Sequence, residues 1–270
     1  MILALDLFTG YGGITLALKD FVKPIAYVEI EEYAQKIIAN RMADGSLPRA
    51  PIFGDVKNIE GSPGDCDIIY GGFPCQDISV AGNGKGLEGE RSGLFYEVVR
   101  LTKEIRPTFV FLENVPAIRT RGLEQIIKEF TSLGYDCRWT MLSAESVGAP
   151  HKRERWFLLA HDNGIELRQQ PERKQRGLGS PFAELVMEKR ITTDSNGEPE
   201  KLRQTKEWGH HSFYKRIMET NSSNYIASFF CGVDDGCTFR LDRIKALGNG
   251  VVPLQVLKAF KILMGVKQND

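Results

Sequence analysis

Through its first 160 residues the chain repeats one pattern. A short apolar run stops at glycine or a polar side chain, and a stretch with helical spacing follows. Strands are expected at Ile2–Leu7, Ile25–Val28, Asp67–Tyr70, Thr108–Leu112, Arg138–Leu142 and Trp156–Ala160, with a further one ending near Gly54. Helices are expected at Ile14–Phe21, Glu31–Asn40, Leu94–Ile105 and Leu123–Leu133. Strands apolar along their whole length need cover on both faces, and helical crossovers between parallel strands provide it. The pattern therefore predicts an α/β fold with a mostly parallel, doubly wound sheet.

From about His161 to Gly236 the character changes to polar sequence, with 11 Lys/Arg against 8 Asp/Glu between Glu166 and Arg216. Aromatic residues such as Trp208, Phe213 and Tyr225 favour a small irregular domain there. After Gly248 apolar positions again follow a helical stripe (Val256, Leu257, Phe260, Leu263, Met264). The organisation expected is residues 1–160 as the main domain, 161–235 as the small one, and 236–270 returning to the first.

Composition excludes some classes. With 42% hydrophobic residues and 35 basic against 35 acidic side chains, the 270-residue chain is no disordered polyelectrolyte. Zero net charge leaves nucleic acid open, because binding follows where charge clusters. No run of about 18 apolar residues suggests a membrane span. The first apolar run lacks a preceding basic region, so it reads as a buried strand rather than a signal peptide. Five scattered cysteines without a CxxC pair suggest free thiols in a reducing cytoplasm.

Several segments carry candidate chemistry. Asp6-Leu-Phe-Thr-Gly10-Tyr-Gly12-Gly13 places a glycine-rich turn after a strand, where a ligand can approach the backbone. It lacks the GxGxxG spacing of dinucleotide sites, and a plain tight turn is an equal reading. Glu29 and Asp55 stand at the ends of the next two strands, so three successive strand ends suit a nucleoside-bearing ligand. In Gly71-Gly72-Phe73-Pro74-Cys75-Gln76 a thiol follows a strand directly. A lone cysteine is ordinarily an inert buried residue, but a Pro-Cys loop at a strand end suits a nucleophile whose pKa is lowered. Glu113, after four apolar residues, is expected half-buried with a raised pKa, though a helix-capping acid is an alternative. Arg153 and Arg155 in His151-Lys-Arg-Glu-Arg alternate to one side, or form a solvated edge. Gly248-Asn249-Gly250 precedes the last helix, with Asn249 as a cap or a ligand contact, and a plain loop is an equal reading.

In this order the segments resemble the DNA cytosine-5 methyltransferases, with Pro74-Cys75-Gln76 and Glu113-Asn114-Val115 carrying most of the weight. The resemblance implies the class I S-adenosylmethionine-dependent methyltransferase fold, S-adenosylmethionine as methyl donor and cytosine in double-stranded DNA as substrate. It implies that Phe8, Gly10, Gly12, Gly13, Glu29, Ile30, Asp55, Val56, Pro74, Leu94, Asn249 and Val251 bind the donor. Within that set Glu29 takes the ribose hydroxyls, Ile30 packs on the adenine and Asp55 accepts from its amino group. It further implies Cys75 as nucleophile, Glu113 and Arg153 as the groups holding the base, and Arg155 in support. Gln76, Ser79, Lys85, Arg91 and Asn114 are expected at the DNA, and the glycine-rich stretch 76–91 as a closing loop. The polar region 161–235 is expected to read the target.

His151 stands where the family commonly has Gln, and Gly250 where Ser or Ala is common. The resemblance also implies a cytoplasmic monomer of bacterial or bacteriophage type, with a cognate restriction endonuclease as functional counterpart and no membrane partner. Three rivals are a transfer RNA cytosine methyltransferase, a silent DNA-binding module and a nicotinamide-dependent oxidoreductase. The first would need its polar region to fit RNA shape, the second is opposed by Cys75, Glu113 and Arg153, and the third by the glycine spacing.

Overall fold

The computed structural model describes residues 1–74, 93–164, 225–226 and 250–266. Eight strands among them are β1 (Ile2–Leu7), β2 (Val22–Val28), β3 (Ile52–Phe53), β4 (Ile68–Gly72), β5 (Phe109–Asn114), β6 (Tyr135–Ser143), β7 (Glu154–Asp162) and β8 (Tyr225–Ile226). They form one sheet in the order β6-β7-β5-β4-β1-β2-β3-β8. The five strands β1 to β5 pair in parallel, whereas β7 is antiparallel to both β5 and β6. Strand order reverses between β1 and β4, which makes the carboxyl ends of those strands the crevice where such sheets bind ligands.

Side chains alternate across the sheet. Phe109 and Phe111 of β5 face the side covered by α1 (Gly13–Leu18) and α6 (Pro253–Leu263). Val110 and Leu112 face the other side, where Phe95, Val98 and Leu101 of α3 (Gly93–Ile105) and Phe130 of α5 (Leu123–Ser132) pack. Helix α2 (Glu32–Ala43) covers the β2–β3 end through Ile38 and Met42. A short helix, α4 (Ile118–Arg121), precedes α5. Burying each large apolar side chain contributes roughly 1.5–3 kcal/mol.

The elements differ from the sequence expectation at their ends. Strand β5 ends with Glu113 and Asn114, which pair with Phe157 and Trp156 of β7. Pairing with β6, where Asp162 meets Tyr135, carries β7 two residues past the expected domain break. Helix α1 stops at Leu18 rather than Phe21, whose ring turns to meet Phe260. In α6 all five expected positions pack on the core, Val256, Phe260 and Leu263 buried and Leu257 and Met264 partly so, and Ala259 and a glutamine, Gln255, are buried with them. Pro253 starts α6 with Val252 as its N-cap, so the cap is not Asn249, which lies outside the described residues. Within 161–235, Tyr225–Ile226 pairs antiparallel with β3. No helix among the described residues is long and apolar enough to cross a membrane.

Candidate active site

The loop after β1 is clamped to the end of β2. Thr9 N–H donates to the Val28 carbonyl (3.1 Å), and Val28 N–H returns a bond to Thr9 Oγ1 (3.2 Å). Gly10 N–H donates to Glu29 Oε2 (2.6 Å) and Glu31 N–H to Glu29 Oε1 (2.9 Å). Both carboxylate oxygens are thus oriented by backbone while keeping lone pairs for a ligand. Burial raises the Glu29 pKa, opposed by those amide bonds. Phe8 adopts a left-handed φ of 52° as the chain leaves β1, a strained geometry for a residue with a side chain.

A cavity of about 300 Å³ opens at these strand ends. Of the expected donor-binding residues it is lined by Phe8, Gly10, Glu29, Ile30, Asp55, Val56, Pro74 and Leu94. Ile30 is 69% exposed, an apolar side chain standing at the cavity rim. Asp55 Oδ1 accepts from Lys57 N–H (2.9 Å), which fixes the carboxylate. The described lining contains three acids (Glu29, Glu31, Asp55) and no Lys, Arg or His. That donor set fits a nucleoside carrying positive charge: acceptors for hydroxyls and an amine, an apolar wall for a base, and no cation to hold phosphates. Tyr11, Tyr33 and Ala34 also line it and were not anticipated. The signal available was that Tyr33 and Ala34 lie in the first turn of the helix following Glu29.

Gly12, Gly13 and Val251 are not in the lining. Gly12 (φ 74°) caps α1 against Leu47, and a Cβ on Gly13 would lie 2.6 Å from Val251 Cγ2. The C-terminal segment therefore rests on the glycine loop. Beneath it lies a buried network not foreseen from sequence: Thr15 Oγ1 donates to Asp6 Oδ2 (2.6 Å) and shares a hydrogen bond with Tyr70 OH (2.7 Å). Desolvation pushes the Asp6 carboxyl up to about 8. An acid inside an apolar strand was the sequence signal.

The second part of the site forms where β5 ends. Because β7 runs antiparallel, its first residues lie beside the last residues of β5. Arg155 Nε meets Glu113 Oε1 at 2.8 Å. Glu113 is 8% exposed, and desolvation raises its carboxyl to about 7 against the lowering pull of Arg155 and Arg153. Glu113 borders the end of β4, since a Cβ on Gly72 would approach Glu113 Oε2 to 2.8 Å. Asn114 Nδ2 donates to the Phe73 carbonyl (2.9 Å), tying the end of β5 to the segment that leads to Pro74. Arg153 stands at φ 23° before β7, and its Nη2 donates to the Gly250 carbonyl (2.6 Å). His151 is exposed. Cys75, Gln76, Ser79, Lys85, Arg91 and Asn249 lie outside the described residues.

A family profile described as C-5 cytosine-specific DNA methylase matches residues 2–248. The chain is 42% identical over 159 residues to Type II methyltransferase M.CviJI of Paramecium bursaria Chlorella virus IL3A, covering 58% of this chain and 42% of that one. It is 34% identical over 169 residues to Type II methyltransferase M.HhaI of Haemophilus parahaemolyticus, covering 60% and 50%. Among solved structures, the Entamoeba histolytica methyltransferase EhMeth shares the fold with a TM-score of 0.59 at 15% identity, covering 99% of both chains. The chain spans about half the length of the curated relatives it matches. S-adenosylmethionine is the cofactor that this kinship implies, and the acid-lined cavity at the reversal of strand order suits it. Matched from its second residue to its 248th, this chain belongs to the C-5 cytosine-specific DNA methylase family.

Proposed function

We propose that the protein methylates C5 of cytosine in a specific sequence of double-stranded DNA. The observation that carries this reading is the buried Glu113 carboxyl, raised to about 7 and paired with Arg155, beside the strand that leads into Pro74-Cys75. A carboxyl near neutrality can hold a ring nitrogen and share a proton with it. The cavity residues hold the donor: Glu29 at the ribose hydroxyls, Ile30 on the adenine, Asp55 at the amino group. When bound, S-adenosylmethionine supplies an electrophilic methyl group.

Cytosine C5 is a weak nucleophile. The Cys75 thiolate forms a bond to C6, and the electrons displaced make C5 able to take the methyl group. Glu113 holds N3 and the exocyclic amine, Arg153 faces O2, and Arg155 keeps the Glu113 carboxyl oriented. Loss of the C5 proton then breaks the sulfur–C6 bond and restores both the aromatic ring and the thiolate. A thiol cannot reach C6 within a duplex, so the base leaves the stack, at roughly a few kcal/mol. Gln76, Ser79, Lys85, Arg91 and Asn114 are assigned to the DNA side, Gly12 and Gly13 to the loop along the donor, Asn249 and Val251 to closing the methionine side, and the 161–235 region to reading the target. The protein acts as a monomer in the cytoplasm, with a restriction endonuclease as counterpart in the cell rather than a bound partner.

The test is transfer from labelled donor to duplex DNA, with transfer RNA as the competing substrate and bisulfite sequencing to locate the product. Label in duplex DNA at a single sequence context is expected. Label in transfer RNA alone would overturn the DNA assignment, and donor binding without transfer to either would indicate a silent module.

A further inference from the structure

Gln255 is fully buried in α6, on a face otherwise made of Val256, Ala259, Phe260 and Leu263. Its Nε2 donates to the Leu142 carbonyl (2.8 Å) and to the Arg153 carbonyl (2.9 Å). Both partners are acceptors, so only the amide NH₂ can face them, which fixes the side chain's orientation. Leu142 lies at the end of β6 and Arg153 immediately before β7, so one side chain grips both ends of that connection.

Arg153 needs such a grip. Its φ of 23° lies in the region that L residues leave unless their surroundings hold them. Two residues that flank the start of α6 secure it from opposite ends. Gln255 takes its backbone carbonyl, and the Gly250 carbonyl accepts from its guanidinium at 2.6 Å. The charge so placed lies within electrostatic reach of Glu113, whose carboxylate pairs directly with Arg155.

We propose that Gln255 is a positioning residue for the proposed base-holding groups: by fixing the left-handed turn at Arg153, it keeps that guanidinium on the Gly250 carbonyl, within electrostatic reach of Glu113. The inference rests on the reading of Glu113 and Arg153 given above. It assigns to the C-terminal helix a part in the chemistry beyond covering the sheet.

The experiment uses the full chain with Gln255→Met, which keeps length and removes both donors, and Phe260→Leu as a packing control in the same helix. The first readout is the Glu113 carboxyl titration in the free protein, followed by carboxyl-labelled NMR. Releasing Arg153 removes a positive charge, so the Glu113 midpoint moves up in Gln255→Met and stays in place in Phe260→Leu, although both lower the melting temperature. The second readout is methyl transfer, where kcat falls by up to about 10²-fold with the donor KM unchanged. An unmoved Glu113 midpoint in a folded Gln255→Met protein overturns the proposal. Should Gln255→Met not fold, side-chain amide exchange of Gln255 in the unaltered protein decides. Protection of both protons upholds the grip, and exchange as fast as that of an exposed glutamine overturns it. A shifted midpoint in a protein whose unaltered form transfers no methyl group would instead refute the function while leaving the positioning intact.

Discussion

The cavity beside Glu29 and the cluster around Glu113 sit at the same edge of one sheet but are built differently. Most of the cavity comes from three consecutive strand ends within residues 8–56, with Gly72, Pro74 and Leu94 completing it. Each successive strand delivers its last residues to the same edge, because parallel strands with helical crossovers all finish on one side. The cluster around Glu113 instead gathers residues 113, 153–155 and 250–255, separated by long stretches of chain. A local design tolerates changes elsewhere, whereas an assembled one depends on antiparallel β7 and on the returning helix α6.

The comparison can be broken most severely at Cys75, the proposed nucleophile. Cys75→Ala should abolish methyl transfer while donor affinity, measured by calorimetry, stays near that of the unaltered protein. Residual transfer would remove the thiol from the mechanism. Next, Glu113→Gln should lower turnover by roughly 10²–10⁴-fold, the range for a lost acid–base group, with melting temperature little changed. Normal turnover in a single-turnover assay would separate Glu113 from the chemistry.

On the cavity side, Glu29→Ala should weaken donor binding by roughly 10–100-fold, as expected for a lost charged hydrogen-bond acceptor, and weaken DNA binding far less. Equal losses would mean that the two regions are not separate. Gly13→Ala probes the seam where the regions meet. Its Cβ would press on Val251, and a stability loss of about 1–3 kcal/mol is expected from denaturant melts.

A smaller effect separates the regions by pH. Asp6 and Glu113 both have folded pKa values raised by desolvation, from 3.8 to about 8 and from 4.5 to about 7. Each keeps in the folded state a proton that the unfolded chain releases above its ordinary pKa. Their contribution is full below about pH 4 and is lost as pH rises through 7 to 8. Melting temperature should therefore fall between pH 5 and pH 9, and Asp6→Asn should flatten much of that slope. An unchanged slope would show that Asp6 is already ionised in the folded protein.

The strands β1, β2, β4 and β5 were legible because each is an apolar run that must be covered on both sides. Glu29 and Asp55 were legible as residues at strand ends, where they line the cavity, because that place follows from the topology alone. The burial of Gln255 on α6 was not, since a glutamine looks polar until the two carbonyls that need it are brought near. Nor was the length of β7, whose polar ends are held by pairing with β6 rather than by their own sequence.

The sequence by itself determined the alternation of strands and helices, the glycine turn and the acids at strand ends. Those features depend on interactions over a few residues, and hydrophobic periodicity records them directly. Only the tertiary structure decided that Arg155 meets Glu113, that Arg153 turns left-handed onto Gly250, and that Gln255 holds it there. Those contacts join groups up to about a hundred residues apart, and their geometry exists only once β7 has paired with β5 and α6 has packed across the sheet.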